Sequence, residues 1–218
     1  YSEKKFHVLR GMLRDKIWRC EKNFFWNEKF FSQSGQDQFA YNLIGRNGTY
    51  LEIGAHDPII NSNTYKLETK CGWKGLSVEY DKTHTASWAN CKERNHKIIW
   101  ENAFQIDYLD EFSKYGLTPK IDYLSCDIDP PKNTFKILKL LINLKVEFKY
   151  ISYEHDKYSF GDKYEKLSKD FLFQNGYKVA VDNVYSRNKI YKIYETWFVK
   201  NNINYQLIDY PLWKKKFY

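Results

Sequence analysis

Apolar residues change their spacing along the chain in a way that separates strands from helices. Phe6, Leu9, Leu13, Ile17 and Phe24 recur at roughly helical spacing, so residues 1–31 read as a basic, aromatic helical segment packed on or preceding a domain. Ser32-Gln33-Ser34-Gly35-Gln36-Asp37 reads as a turn and helix start leading into residues 38–44. Beyond it, short apolar runs alternate with amphipathic stretches. Strands are predicted at residues 49–54, 75–80, 97–100, 121–127 and 147–154, with two more, 177–182 and 195–199, close together at the end. Helices are predicted between them at residues 63–70, 83–93, 108–115, 133–144 and 163–174. Five β–α alternations imply an α/β domain over residues 32–200. Its sheet would be mostly parallel and seven-stranded, with helices on both faces, and residues 201–218 would form an aromatic, basic tail.

In such sheets ligands sit at the carboxyl ends of strands, where strand order reverses, so polar residues ending strands carry the chemistry. The first strand ends Leu51-Glu52-Ile53-Gly54-Ala55-His56-Asp57-Pro58. Gly54 permits a sharp turn and close approach of backbone to a ligand. The second strand ends in Glu79, an acid placed to accept hydrogen bonds from ribose hydroxyls. Dinucleotide sites need closely spaced glycines to hold a pyrophosphate, whereas here acids flank a single glycine. Glu52 and Asp57 instead suit the sulfonium and ammonium of S-adenosylmethionine (SAM), directly or through water; the lesser alternative is that Glu52 only fixes the turn through backbone hydrogen bonds. The fourth strand ends Cys126-Asp127-Ile128-Asp129-Pro130-Pro131, and the fifth Tyr153-Glu154-His155-Asp156. Asp127 and Asp129 alternate, so in an extended segment they point to one side. His155 could take the proton of an attacking hydroxyl, with the acids orienting it or binding a divalent cation; the alternative is a structural histidine.

Ser32-Gln33…Gln36-Asp37, Tyr50-Leu51-Glu52-Ile53-Gly54-Ala55, Ser62-Asn63-Thr64 and Gly72-Trp73-Lys74-Gly75…Glu79 together resemble the FkbM-type methyltransferases. Residues 122–129 and 151–156 extend the resemblance, which covers roughly residues 32–199. It implies a Rossmann-like class I SAM-methyltransferase fold and O-methylation of a sugar or polyketide-like hydroxyl. Carried over, Glu52, Gly54 and Ala55 would line the methionine part of SAM, Glu79 the ribose, and Asn102 and Ala103 the adenine. Asp127 would lie beside the methyl group, with Asp129, Glu154 and His155 around the acceptor. The family often has Glu-Gly after the fourth-strand Asp; here Asp129-Pro130-Pro131 stands instead.

A sugar hydroxyl is a poor acid and needs a base, a metal, or both. His155 is the expected base, with Asp127, Asp129 and Glu154 positioning the acceptor or holding Mg²⁺ or Mn²⁺. Composition adjusts this picture modestly. At 218 residues the chain suits one domain, and its 19% aromatic content supplies half-buried surfaces and pocket rims. An A/T-rich coding sequence would produce the same aromatic bias. The net charge of +8 admits nucleic acid, acidic membrane or anionic substrates as partners, but it is spread along the chain. No nucleic-acid module is recognised, and Tyr210–Tyr218 is the only stretch resembling a basic, aromatic stripe. A sugar or glycan acceptor is therefore expected ahead of nucleic acid.

Cys20, Cys71, Cys91 and Cys126 show no C-x-x-C pairing, which fits a reducing, cytoplasmic setting. No signal peptide or membrane-spanning run is seen. The start at Tyr1 rather than Met is what one domain of a longer polypeptide would show, and other domains of it would then be partners. A catalytically silent SAM-fold scaffold is the competing reading. Retention of Glu52, Glu79, Asp127 and His155 together weighs against it, and SAM titration separates the two.

Overall fold

Seven strands form one sheet in the order β3-β2-β1-β4-β5-β7-β6. They are β1 (Thr49–Ile53), β2 (Lys74–Glu79), β3 (Lys97–Trp100), β4 (Lys120–Cys126), β5 (Glu147–Glu154), β6 (Tyr177–Ser186) and β7 (Lys189–Lys200). β1 to β5 pair in parallel, and β7 runs antiparallel to both β5 and β6. The chain builds outward from β1 to β3, then returns to lay β4 on the other side of β1. Strand order therefore reverses between β1 and β4. The computed structural model describes residues 31–205 apart from His96, Arg187 and Asn188. The expected helical segment at residues 1–31 and most of the expected tail at 201–218 lie outside the described residues.

The helices are α1 (Gln36–Ile44), α2 (Tyr65–Cys71), α3 (Thr85–Asn90), α4 (Tyr108–Lys114), α5 (Pro131–Asn143), α6 (Lys157–Phe160) and α7 (Lys163–Gln174). α5 shows how pattern becomes packing. Thr134, Ile137, Leu138, Leu141 and Ile142 are its buried face, at the spacing one helical stripe requires. Each fully buried Ile or Leu there stabilises the fold by about 1.5–3 kcal/mol. Pro131 stands at the first helical turn, where no backbone N–H is needed, so the helix starts earlier than the apolar spacing suggests.

The two faces of the sheet differ in kind. Leu51, Ile53, Leu76, Val78, Leu124, Cys126, Ile151 and Phe198 face α4, α5 and α7 in one apolar cluster. The opposite face carries Tyr50, Tyr123, Tyr150 and Trp197 against Phe39 of α1 and Leu67 of α2. Tyr123 and Tyr150 stack at 4.7 Å. Cys126 is buried and free, as its place in a central strand suggests, and Cys71 and Cys91 are also buried.

The expected elements are present with shifted ends. β6 and β7 run well beyond residues 177–182 and 195–199, forming a long edge hairpin. Asp182 and Asn183 interrupt its apolar pattern, Asn183 takes φ 52°, and the register slips between Val181 and Val184. The helix expected at 83–93 is a 3₁₀ turn, Lys82–His84, followed by the short α3. No helix among the described residues is long and apolar enough to cross a membrane.

Candidate functional site

On the tyrosine face, strand register sets polar side chains in rows. Glu52 lies opposite Ser77 on one side and Ser125 on the other, and Ser125 lies opposite Ser152. One pleat further towards the carboxyl ends come Glu79, Gly54, Asp127 and Glu154, with Glu195 of β7 in register with Glu154. This row crosses the point where strand order reverses.

The chain leaves β1 through Gly54 at φ +83°, and a Cβ there would lie 1.7 Å from the Asp127 carbonyl oxygen. Backbone conformation and the neighbouring strand both demand glycine. The Gly54 and Ala55 amides donate to the Val78 carbonyl, and the Asp127 amide donates to that of Ile53 at 3.0 Å. His56 follows at φ 47°, a conformation L residues rarely adopt. Its amide donates to Glu79 Oε2 at 2.7 Å, and its carbonyl accepts from Trp88 Nε1 at 2.8 Å. Asp57 Oδ1 accepts from the Ile59 and Ile60 amides at 2.9 and 2.7 Å, so Asp57 turns the loop.

Glu79 also accepts from the Tyr80 and Asp81 amides through Oε1, and remains half-buried at the end of β2. Asn102 Oδ1 accepts from the Phe104 amide and caps a short turn after β3. Ala103 packs in the apolar core, where its carbonyl accepts from Tyr108 Oη. Tyr80 and Phe104 are exposed at 73% and 38%, offering flat apolar surface beside Glu79 and Asn102. Neither aromatic stood out in the sequence.

Glu52, expected to line the methionine part, is only 2% exposed. Its Oε2 accepts from Thr64 Oγ1 and Ser77 Oγ at 2.8 and 2.7 Å, and Arg94 Nη2 lies 3.6 Å away. Burial pushes its carboxyl pKa up, against the pull of Arg94 and the two hydroxyls. Glu52 is thus occupied inside the protein, by side chains rather than by the turn's backbone amides.

Acids gather on the β4–β5 side. Asp127, Glu154 and Asp156 lie close enough for their charges to repel, which favours protonated carboxyls among them. Burial, then the nearby Asp129, Asp156 and Glu79, pushes Asp127 up to about 6 against the opposing pull of Glu154. Burial, then Asp127, Asp156 and Glu195, pushes Glu154 well above its ordinary range. Glu195, overlooked in the sequence, is 3% exposed, and burial pushes it up to about 8. Its Oε2 accepts from Trp197 Nε1 at 2.6 Å and Gln36 Nε2 at 2.9 Å. Ser34 and Tyr194 join the same network, which explains the Ser32–Asp37 motif as a buried brace for β7. Asp156 is buried at φ 47° with Oδ1 unpartnered, and Asp129 is exposed.

His155 points away from this row. Alternation along β5 puts it opposite Glu154, and it is fully buried. Its Nδ1 accepts from the Lys157 amide at 3.2 Å, leaving Nε2–H to donate to Thr196 Oγ1 at 3.1 Å. Burial lowers its pKa to about 4. Both nitrogens are engaged within the protein, so the geometry favours the structural histidine over the expected base. Among the described residues no three or more His, Cys, Asp or Glu side chains are arranged to hold a metal ion. The cation set expected from Asp127, Asp129 and Glu154 is not assembled among them.

Arg94 is the other residue sequence reasoning passed over. It sits before β3, 8% exposed, with Nε on Glu68 Oε2 at 2.8 Å. Its Nη2 reaches Thr64 Oγ1 at 2.7 Å and Tyr50 Oη at 3.1 Å. No local spacing marks such a residue, because all its partners come from other elements.

No family model matches this sequence, and no curated protein matches it. Solved structures do. The Burkholderia thailandensis 1,6-didemethyltoxoflavin-N1-methyltransferase, with 1,6-didemethyltoxoflavin and S-adenosylhomocysteine bound, is 12% identical with a TM-score of 0.52, covering 90% of each chain. M. capricolum TrmK, in complex with S-adenosylhomocysteine, is 14% identical with a TM-score of 0.53, covering 80% of this chain and 71% of that one. The Methanococcus jannaschii fibrillarin pre-rRNA processing protein is 19% identical with a TM-score of 0.50, covering 72% and 67%. At such identities the likeness establishes the fold, the Rossmann-like sheet of class I SAM-dependent methyltransferases.

Proposed function

We propose that this chain is a SAM-dependent methyltransferase acting on a hydroxyl of a sugar or glycan. The observation that carries the reading is the meeting of Gly54 with Asp127 at the strand-order reversal, with Glu79 one strand away. The absence of a side chain at Gly54 leaves backbone as the floor of the turn, and the acids around it suit a positively charged ligand. The resemblance to FkbM-type enzymes supports the sugar hydroxyl.

SAM would supply a methyl group on positively charged sulfur. Glu79 keeps lone pairs for ribose hydroxyls beyond those used by the His56, Tyr80 and Asp81 amides. Tyr80 and Phe104 would flank the adenine, and Asn102 the ring edge. Asp127 and Glu154 face the acceptor and take the base role expected of His155. A carboxyl near pKa 6 is ionised at neutral pH yet basic enough to receive a hydroxyl proton. His155 braces the end of β5 through Thr196. A row of acids at the acceptor side also opposes phosphate groups, which favours a neutral glycan over nucleic acid.

Radiolabelled SAM offered to a panel of glycosides, glycans and RNA tests the reading. Label is expected on a carbohydrate oxygen. Asp127→Asn should cut turnover about a hundredfold or more while S-adenosylhomocysteine still binds. Failure of the protein to bind S-adenosylhomocysteine, or label found only on RNA, would overturn it.

A further inference from the structure

The loop that leaves β1, residues 54–64, is gripped at four points by side chains from one other part of the molecule. Arg94 Nη1 donates to the Pro58 carbonyl at 3.2 Å and to Ser62 Oγ at 3.3 Å. Its Nη2 donates to Thr64 Oγ1 at 2.7 Å, at the far end of the same loop. The guanidinium lies over the Trp88 ring at 4.3 Å, and Trp88 Nε1 in turn donates to the His56 carbonyl at 2.8 Å. Trp88 and Arg94 both come from the crossover between β2 and β3. Within that crossover they form one stacked unit with donors aimed at His56, Pro58, Ser62 and Thr64. Glu68 and Glu52 lie 2.8 and 3.6 Å from the guanidinium and keep it charged and fixed.

We propose that Trp88 and Arg94 act as a clasp that sets cofactor affinity by holding this loop in its ligand-ready shape before any ligand arrives. This rests on the methyltransferase reading, in which the loop lines the methionine part of SAM. Neither residue needs to touch the ligand. A loop that must be ordered on binding costs affinity, and one already ordered does not. His56 makes the need specific: at φ 47° it sits in a conformation it would leave if its carbonyl lost the Trp88 donor. Both residues are therefore positioning residues.

Trp88→Phe keeps an aromatic face for Arg94 and removes only the donor to His56. Arg94→Lys keeps the charge beside Glu52 and Glu68 but lacks the fork needed to reach Pro58, Ser62 and Thr64 together. Each purified variant is compared with the wild type by titration with S-adenosylhomocysteine and by hydrogen exchange of the ligand-free protein. Both substitutions should weaken S-adenosylhomocysteine binding about five- to tenfold. Exchange should quicken in residues 54–64 while peptides from β4 and β5 keep wild-type protection, and saturating ligand should restore protection to the loop.

Wild-type affinity in both variants would overturn the clasp. So would loss of protection spread evenly over the sheet, the sign of a merely structural role. If the wild type fails to bind S-adenosylhomocysteine, the methyltransferase reading falls, and the cofactor-affinity part of the proposal falls with it. Loop-specific exchange would then still distinguish a clasped loop from one held by nothing in particular.

Discussion

The row of strand ends divides into two halves built on opposite principles. On the β1–β2 side each acid has donors of its own: Glu52 has Thr64, Ser77 and Arg94, and Glu79 has three backbone amides. On the β4–β5–β7 side Asp127, Glu154 and Asp156 crowd one another, and among the described residues only Glu195 of these acids has side-chain N–H donors, from Trp197 and Gln36. Among the described residues no lysine or arginine forms an ion pair with Asp127, Glu154 or Glu195. The first half is held by donors, although burial also raises Glu52. In the second, burial and neighbouring acids together raise Asp127, Glu154 and Glu195.

Joining the halves by force should have the largest effect. Gly54→Ala puts a methyl group into the Asp127 carbonyl at a φ that alanine resists. It should destabilise the protein by about 3 kcal/mol or more, read by denaturant unfolding. A stable Gly54→Ala protein would mean that β1 and β4 are not locked together at this point.

Matched substitutions in the two halves should then diverge. Glu52→Gln turns an amide towards two hydroxyls and leaves Arg94 short of a countercharge, and should cost about 1–3 kcal/mol. Glu154→Gln relieves crowding among acids and should be neutral or stabilising, within about 1 kcal/mol. Equal losses at both positions would erase the distinction.

The smallest effect is that of pH. Asp127, Glu154, Asp156 and Glu195 all have raised pKa values in the fold, so the folded chain holds more protons than the unfolded one. Their contribution is present at low pH and is lost as pH rises through the folded values, which reach about 8 for Glu195. His155 is lowered to about 4, so its contribution is lost as pH falls from 6.5 towards 4. Between pH 6.5 and 8.5 only the acids act. Stability should drop by about 1–2 kcal/mol over that range, and less in Glu195→Gln. An unchanged or rising melting temperature would show that the acids are not held protonated.

How far the sequence was legible follows from the range of the interactions. Strands β1 to β5 could be read because each is a local run of apolar residues ending in a polar cluster. The rows of the site follow too, since alternation puts Glu52, Asp127 and Glu154 on one face. His155 was misplaced by the same rule left unapplied: one residue beyond Glu154, it must point the other way. Arg94, Trp88 and Glu195 had no local signature. Each is defined by partners far along the chain, brought together only by the crossover after β2 or by the insertion of β7. The length of β6 and β7 was hidden because polar residues such as Asp182, Asn183, Lys189 and Lys192 interrupt the apolar runs of both strands.

That β7 lies between β5 and β6, rather than beyond them, has a consequence for synthesis. On the ribosome the five strands from β1 to β5 emerge first and can pair in order, and β6 follows. The slot beside β5 stays open until the last strand is made and threads into it. Glu195 arrives with that strand, so the β1–β2 half of the row can exist before the β5–β7 half is complete. A nascent chain of this protein would hold the Gly54–Glu79 turn while the place of Glu195 was still a gap.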